Sequence, residues 1–326
     1  MRASFRFRSL LVLVWVAVVA SDAGAACPAT LCDCLGEAGR YALVGGQLQV
    51  KSGRISFSGY GYNVPSIIEG SVCGATGKVG GKAGGETDIS ADLLFTAGPG
   101  AIAAKFKGYK YYGYPYPGAF VGGDVATGGG SLVNTAFAEI SGVTDTSGDY
   151  SEISSCSGAL VDAAAASATL AALAPTQTFD DVLVAGGETF TITGADGANV
   201  VNVVNIGSIN VKSRSYDGYP IGGTLEISLP GPNDTMILNV ATSLQVGNAS
   251  GILVVDGPAE NVIINVHGGN LSKVKIGGHE AAIDPPILAP GDAKVITKGD
   301  SYISNLLGGD KLKIAGPSIA DALFCP

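Results

Sequence analysis

Residues 189–211 read TFTITGADGANVVNVVNIGSINV, and residues 252–290 read ILVVDGPAENVIINVHGGNLSKVKIGGHEAAIDPPILAP. Both stretches string β-branched runs between Gly, Asn, Asp and Pro, the residues that turn a chain. Thr224–Leu229 and Met236–Val240 repeat the pattern, so such runs recur every 10 to 20 residues. Upstream, Leu48–Val50, Ile55–Phe57, Ile67-Ile68, Leu93–Phe95 and Ala119–Val121 are shorter runs in Gly-rich surroundings. Numerous short strands suit a sandwich or a solenoid. Only 14% of residues are charged, against about 25% in ordinary soluble domains, which implies strands buried on at least one face throughout. Asn, Gly and Ser at the corners suit stacked bends. The sequence therefore predicts a mainly β fold, an irregular right-handed β-helix (solenoid) with no exact repeat length.

One segment breaks the pattern. Ser157–Leu173, SGALVDAAAASATLAAL, has no Pro, no Gly after Gly158, and abundant Ala, the strongest helix former. Pro175 closes it. The spacing predicts a helix over about 157–174, with Leu160, Ala163, Ala164, Ser167, Leu170, Ala171 and Ala174 on one stripe. A stripe of small side chains lets one long helix pack closely alongside the sheet.

The N-terminus points to a compartment. Arg2, Arg6 and Arg8 precede an apolar run from Leu10 to Ala20, and Ala23-Gly24-Ala25 offers a small-x-small cleavage site. A signal peptide over 1–25 is expected, because 11 apolar residues fall short of the ~20 that span a bilayer. A cysteine-bearing lead over 26–46, one β-solenoid domain over 47–316 and a tail over 317–326 would follow. The last residues, AGPSIADALFCP, hold no run long enough for a spanning helix or a GPI tail. The mature chain is thus expected to be extracellular, in the medium or at the cell wall, with no membrane span. Cleavage removes three arginines and one aspartate, taking the net charge from −9 to −11. So acidic a chain is a poor partner for nucleic acid or anionic membranes.

Six cysteines lie beyond the cut: Cys27, Cys32, Cys34, Cys73, Cys156 and Cys325. An even count in a secreted chain predicts disulfides, with 15 possible pairings. Cys325 could tie the C-terminus back to the lead. Zinc at Cys32-x-Cys34 is disfavoured, since the spacing is too short for a C-x₂-C knuckle and no His cluster follows. Asn233, Asn248 and Asn270 head N-glycosylation sequons, relevant in a eukaryote.

The order of signal peptide, LGEAGRYALVGG (35–46), Ala-rich helix, β-runs and ILAPGDAKVI (287–296) resembles the choice-of-anchor A family of secreted and surface proteins. In that family an early LG-x-A segment precedes a Gly-rich region, and a similar Ala/Ser/Leu helix precedes a run ending in Leu-Ala-Pro. The resemblance spans about 35–316. Two departures stand out: no Trp-bearing run precedes Leu288-Ala289-Pro290, and no anchor follows the domain. The family is in turn similar to ice-binding proteins of bacterial type, so the resemblance implies an irregular β-helix flanked by one long helix.

Motifs for chemistry are sparse, with 2 His in the chain. In CGATGKVGGKAGGE (73–86) a phosphate loop would need Gly at Val72 and Ser or Thr at Val79, so turns or bulges explain these glycines better. His267, His279 and Glu280 match no metal-ligand spacing and read as surface groups. Gly247-Asn-Ala-Ser-Gly places its serine one position late for a nucleophile elbow, and no His follows Gly299-Asp-Ser301. The pair Asp180-Asp181 is unmarked among loop residues. No catalytic residue, metal or cofactor is expected.

Tyrosines carry more information. Tyr60 and Tyr62, Tyr109, Tyr111, Tyr112, Tyr114 and Tyr116, and Tyr216 and Tyr219 fall in three Gly/Pro-rich clusters. Their flat rings with a hydroxyl suit stacking on sugars, and their neighbours place them on loops. Thr189, Thr191 and Thr193 form one row on alternate positions, hence on one strand face. The function expected is a secreted, non-catalytic matrix, cell-wall or adhesion protein binding extracellular polysaccharide, matrix protein or a surface. The alternative is an ice-binding (antifreeze) protein acting at an ice surface.

Overall fold

The computed structural model describes residues 31–319 except 52, 58–59, 65, 81–86, 97–99, 103–118, 130–131, 135–137, 198, 269–272, 291–292, 305 and 309–310. The signal peptide, Cys27, Cys325, Asn270 and the tyrosines from Tyr109 to Tyr116 lie outside the described residues. The fold is mainly β with one long helix, and its two large sheets are parallel.

The first described strand lies in the middle of its sheet. Leu43–Lys51 pairs on one side with Val72–Val79 and on the other with Leu306–Leu307 and Lys311–Ala315. From Val72–Val79 the sheet runs out through Leu93–Phe95 and Val125–Thr127 to an edge at Thr144–Asp145. The long helix Glu152–Ala171 follows, and the next strand, Gln177–Val184, is the opposite edge, paired only with Val201–Val211. Later strands work back through Thr235–Val246, Lys273–Gly278 and Lys294–Gly299 to Lys311–Ala315 beside the first strand. The ten-stranded second sheet keeps the same order and closes where Ser318 pairs with Ile67. The two halves of the sequence thus form two stacks joined at a parallel seam.

Register explains the core. Alternate strand residues face opposite ways, so in-register strands line up like side chains. Leu48, Leu312, Val295, Val274, Leu244, Ile209 and Val182 succeed one another across seven strands, all buried. Each such side chain stabilises by about 1.5–3 kcal/mol. Val201–Val211 is one long strand, whose register shifts between Ile206 and Ser208. The glycines expected in turns at 73–86 instead include Gly74 and Gly77 inside strand Val72–Val79. A Cβ on Gly77 would sit 2.7 Å from Phe95 Cε1 and 2.8 Å from Leu48 Cβ, so glycine there makes room for core side chains.

The helix begins five residues earlier than expected and is rotated. Its buried stripe is Ile153, Cys156, Ala159, Ala163, Ala166, Ser167 and Leu170, while Ala164 and Ala174 are exposed. Alanine on every side gives the sequence no phase; tertiary contacts from Ile153 and Cys156 set it. Cys156 is disulfide-bonded to Cys73, 83 residues earlier, which fixes the helix to the sheet. Cys34 is disulfide-bonded too, and no cysteine among the described residues is a free thiol. Such bonds belong to an oxidising compartment and are consistent with secretion. Further along, Asn205, Asn239 and Asn265 stand in register on neighbouring strands beneath the helix. Asn239 Nδ2 donates to the Leu170 carbonyl at 2.8 Å, and Asn265 Nδ2 to the Ser167 carbonyl at 3.0 Å. The helix is long and apolar enough to cross a membrane, but its stripe and disulfide bind it to the sheet.

Candidate binding faces

The helix covers one face, where Val44, Cys73, Leu94, Ile237, Ile263 and Leu288 pack beneath it. On the second sheet, no helix residue covers the edge strand Thr189–Thr193, whose Thr189, Thr191 and Thr193 are all exposed. The neighbouring strand sets Thr224, Glu226 and Ser228 beside them in register. Five hydroxyl side chains and one carboxylate therefore form a two-by-three grid. Its spacing is about 4.8 Å between strands and about 6.7 Å along them. Thr191 donates to Glu226 at 3.0 Å, and Ser228 to Asp256 at 2.9 Å. The third strand continues the grid with Gly251 opposite Thr224 and Leu253 opposite Glu226.

Between the threonines, Phe190 turns the other way and meets Phe179 edge-to-face, with ring centroids 5.9 Å apart. Both strands are the last of their sheets, so this aromatic pair closes the end of the core. The first threonine row is visible in sequence. The second was missed because TLEIS reads as one more β-run, and only register brings it alongside.

The four described tyrosines of these clusters lie on hairpin strands and not on irregular loops as expected. Ser213–Tyr216 and Tyr219–Gly222 form an antiparallel hairpin in which Tyr216 pairs with Tyr219. Asp217 and Gly218, at φ 49 and 83, supply the left-handed turn that Asp-Gly favours. Both rings project, 64% and 61% exposed. Tyr60 and Tyr62 lie on strand Tyr60–Val64, paired with Gly53–Phe57. Alternating aromatics have high β-propensity, and that outweighs the intervening glycine.

Of the groups weighed for chemistry, His279, Glu280 and Asp300 come together. Asp180 and Asp181 are consecutive residues of strand Gln177–Val184, so they face opposite sides; Asp181 accepts from Ser208 at 2.6 Å. His279 Nδ1 contacts Asp300 at 2.9 Å, while Ser301, 1% exposed, donates to the Lys298 carbonyl. Burial pushes the His267 pKa below its ordinary value. Among the described residues no group of three or more His, Cys, Asp or Glu is placed to hold a metal ion. Asn233 and Asn248 are exposed between strands, open to a glycan.

No family model and no curated protein matches the chain. Solved structures do. An ice-binding protein from the Antarctic ascomycete Antarctomyces psychrotrophicus aligns at 14% identity and TM-score 0.45, over 88% of this chain and 96% of that one. The ice-binding protein LeIBP from an Arctic yeast aligns at 11% identity and TM-score 0.45, over 88% and 92%. One from an Antarctic biological consortium aligns at 13% and 0.42, over 88% and 87%.

What the threonine face can do follows from its chemistry. Threonine joins a methyl to a hydroxyl, so a regular grid sets an apolar atom beside one that can anchor an ordered water. Glu226 is the exception, because a half-buried carboxylate that still meets solvent holds its own hydration.

Proposed function

We propose that this chain is a secreted, non-catalytic surface-binding protein, and that ice is the surface its threonine face suits best. The observation that carries the reading is Thr189, Thr191 and Thr193 standing in register beside Thr224 and Ser228 on an uncovered sheet face. Two sheets sharing one strand order support a coiled chain, which we read as an irregular right-handed β-helix of the choice-of-anchor A type.

The test is thermal hysteresis and partition into growing ice, measured on the chain lacking residues 1–25. Activity is expected, with a loss of most of it in Thr191→Tyr and Thr224→Tyr, whose rings break the regular grid. No hysteresis in the folded protein overturns the ice reading. The second reading, adhesion to extracellular polysaccharide or matrix protein, is favoured by the Tyr216–Tyr219 hairpin tip. There, Tyr216→Ser with Tyr219→Ser is expected to lower retention on a glycan column.

A further inference from the structure

The first sheet carries a second uncovered region with the opposite chemistry. Five adjacent strands, Val72–Val79, Leu43–Lys51, Lys311–Ala315, Lys294–Gly299 and Lys273–Gly278, read VCGATGKV, LVGGQLQVK, KLKIA, KVITKG and KVKIGG. They hold eight lysines and no Asp, Glu or aromatic residue, in a chain with 28 acidic against 19 basic residues. Register orders these charges. Lys311, Lys294 and Lys273 stand side by side in one outward row, and Lys313 and Lys275 flank Ile296 in the next. Lys78, Lys273, Lys275, Lys294, Lys298, Lys311 and Lys313 are all exposed.

Lys273, Lys275, Lys294, Lys298 and Lys313 form no ion pair with a described carboxylate. The field is strong enough that Lys273, aided by Lys298 and Lys294, lowers the pKa of Lys275. Two shallow grooves run over this surface. One, of about 520 Å³, is lined by Gln47, Gln49, Lys78, Lys294 and Lys313 among others. The other, of about 640 Å³, takes in Asn210, Gln245, Lys275 and Lys298.

We propose that this lysine face binds a linear acidic polysaccharide lengthwise along the stack. Lysines recurring about every 4.8 Å from strand to strand meet a chain bearing a carboxylate on each sugar. The Gln and Asn side chains between them suit the sugar hydroxyls. Nucleic acid fits less well, because these five strands present no ring on which the bases of a single strand could stack. Each exposed lysine contributes little alone, so affinity comes from many contacts made together by one polymer. The face is separate from the threonine grid, and binding here neither requires nor excludes ice.

Affinity electrophoresis of the folded protein through gels containing polygalacturonate, neutral dextran or sheared duplex DNA tests this. Retardation by polygalacturonate alone, at least tenfold weaker in 0.5 M salt than at low salt, is expected. Lys273→Gln/Lys275→Gln/Lys294→Gln is expected to lose the retardation at least tenfold with an unchanged melting temperature, and Lys→Arg at the same positions to keep it. Hysteresis should be the same in both variants, which separates this site from the ice reading. Equal retardation by dextran, stronger retardation by DNA, no retardation by polygalacturonate, or undiminished binding in the Gln variant would each overturn the proposal.

Discussion

Ser167 donates its hydroxyl to Asn265 Oδ1 at 2.5 Å while Asn265 Nδ2 donates back to the Ser167 carbonyl at 3.0 Å, so helix and sheet are joined by a reciprocal pair of buried hydrogen bonds. The bond continues outward, because Asn265 Nδ2 also donates to Asn239 Oδ1 at 2.9 Å. Buried polar groups are costly when orphaned, and removing one partner strands the others. Asn265→Leu is therefore expected to destabilise the fold by about 1–3 kcal/mol, although leucine is the more apolar side chain. Urea unfolding measures it; an equal or higher midpoint in the variant would show that the ladder does not hold the helix.

Cys73–Cys156 clamps the other end of that helix. Closing a loop of 83 residues restricts the unfolded chain by about 4.5 kcal/mol on loop-entropy grounds. Cys73→Ala with Cys156→Ala should lower the melting temperature clearly, and reductant should do the same to the wild type. A melting temperature unmoved by both would mean that helix docking rests on packing alone.

Acid should weaken the fold through two carboxylates near the same helix. The Ser155 hydroxyl, with the Arg40 guanidinium, holds the Glu37 pKa below its ordinary value, and the Tyr150 hydroxyl at 2.6 Å, with the Val143 N–H, does so for Asp124. A folded pKa below the unfolded one means stability that is present above about pH 4 and lost as pH falls through the folded value. The urea midpoint should thus decline below about pH 4, after an earlier fall that begins near pH 6.5, where the unfolded chain binds a proton that the buried His267 resists. Tyr150→Phe should flatten part of that decline; an identical acid slope in the variant would remove Asp124 from the account.

How much of this was legible in sequence depended on what each residue's pattern encodes. Strand positions such as Val262–Val266 carry their own signal, since β-branched runs between turn residues have one sensible reading. The helix was legible in existence but not in phase, for an alanine stripe looks alike from all sides until Cys156 finds Cys73. The seam between Leu43–Lys51 and Lys311–Ala315 was not legible, because parallel pairing across some 260 residues leaves no local trace. The same holds for both binding faces. KVK, KVITK and KLK read separately as solvated strand faces, and only their register makes one surface of them. For Thr189, Thr191 and Thr193 the period of two was visible, while their partners Thr224 and Ser228 needed the structure.

Glu226 offers the sharpest test of the threonine grid. It occupies the centre of the second row, in register with Thr191 and between Thr224 and Ser228 on its own strand. It accepts the Thr191 hydroxyl at 3.0 Å, taking out of service a group that would otherwise anchor water at the surface. Replacing it by threonine would complete a grid of six hydroxyls and free Thr191, with no change of backbone. Threonine also has the higher β-propensity, so stability should stay within about 0.5 kcal/mol or rise. Glu226→Thr is therefore expected to increase thermal hysteresis, and Glu226→Lys, which keeps a charged and hydrated group at the centre, is expected not to. Measured side by side at equal protein concentration, the two variants distinguish a surface that works by regular hydroxyl spacing from one that works by exposed area. If Glu226→Thr lowers hysteresis while leaving the fold intact, the grid is not the ice-facing surface.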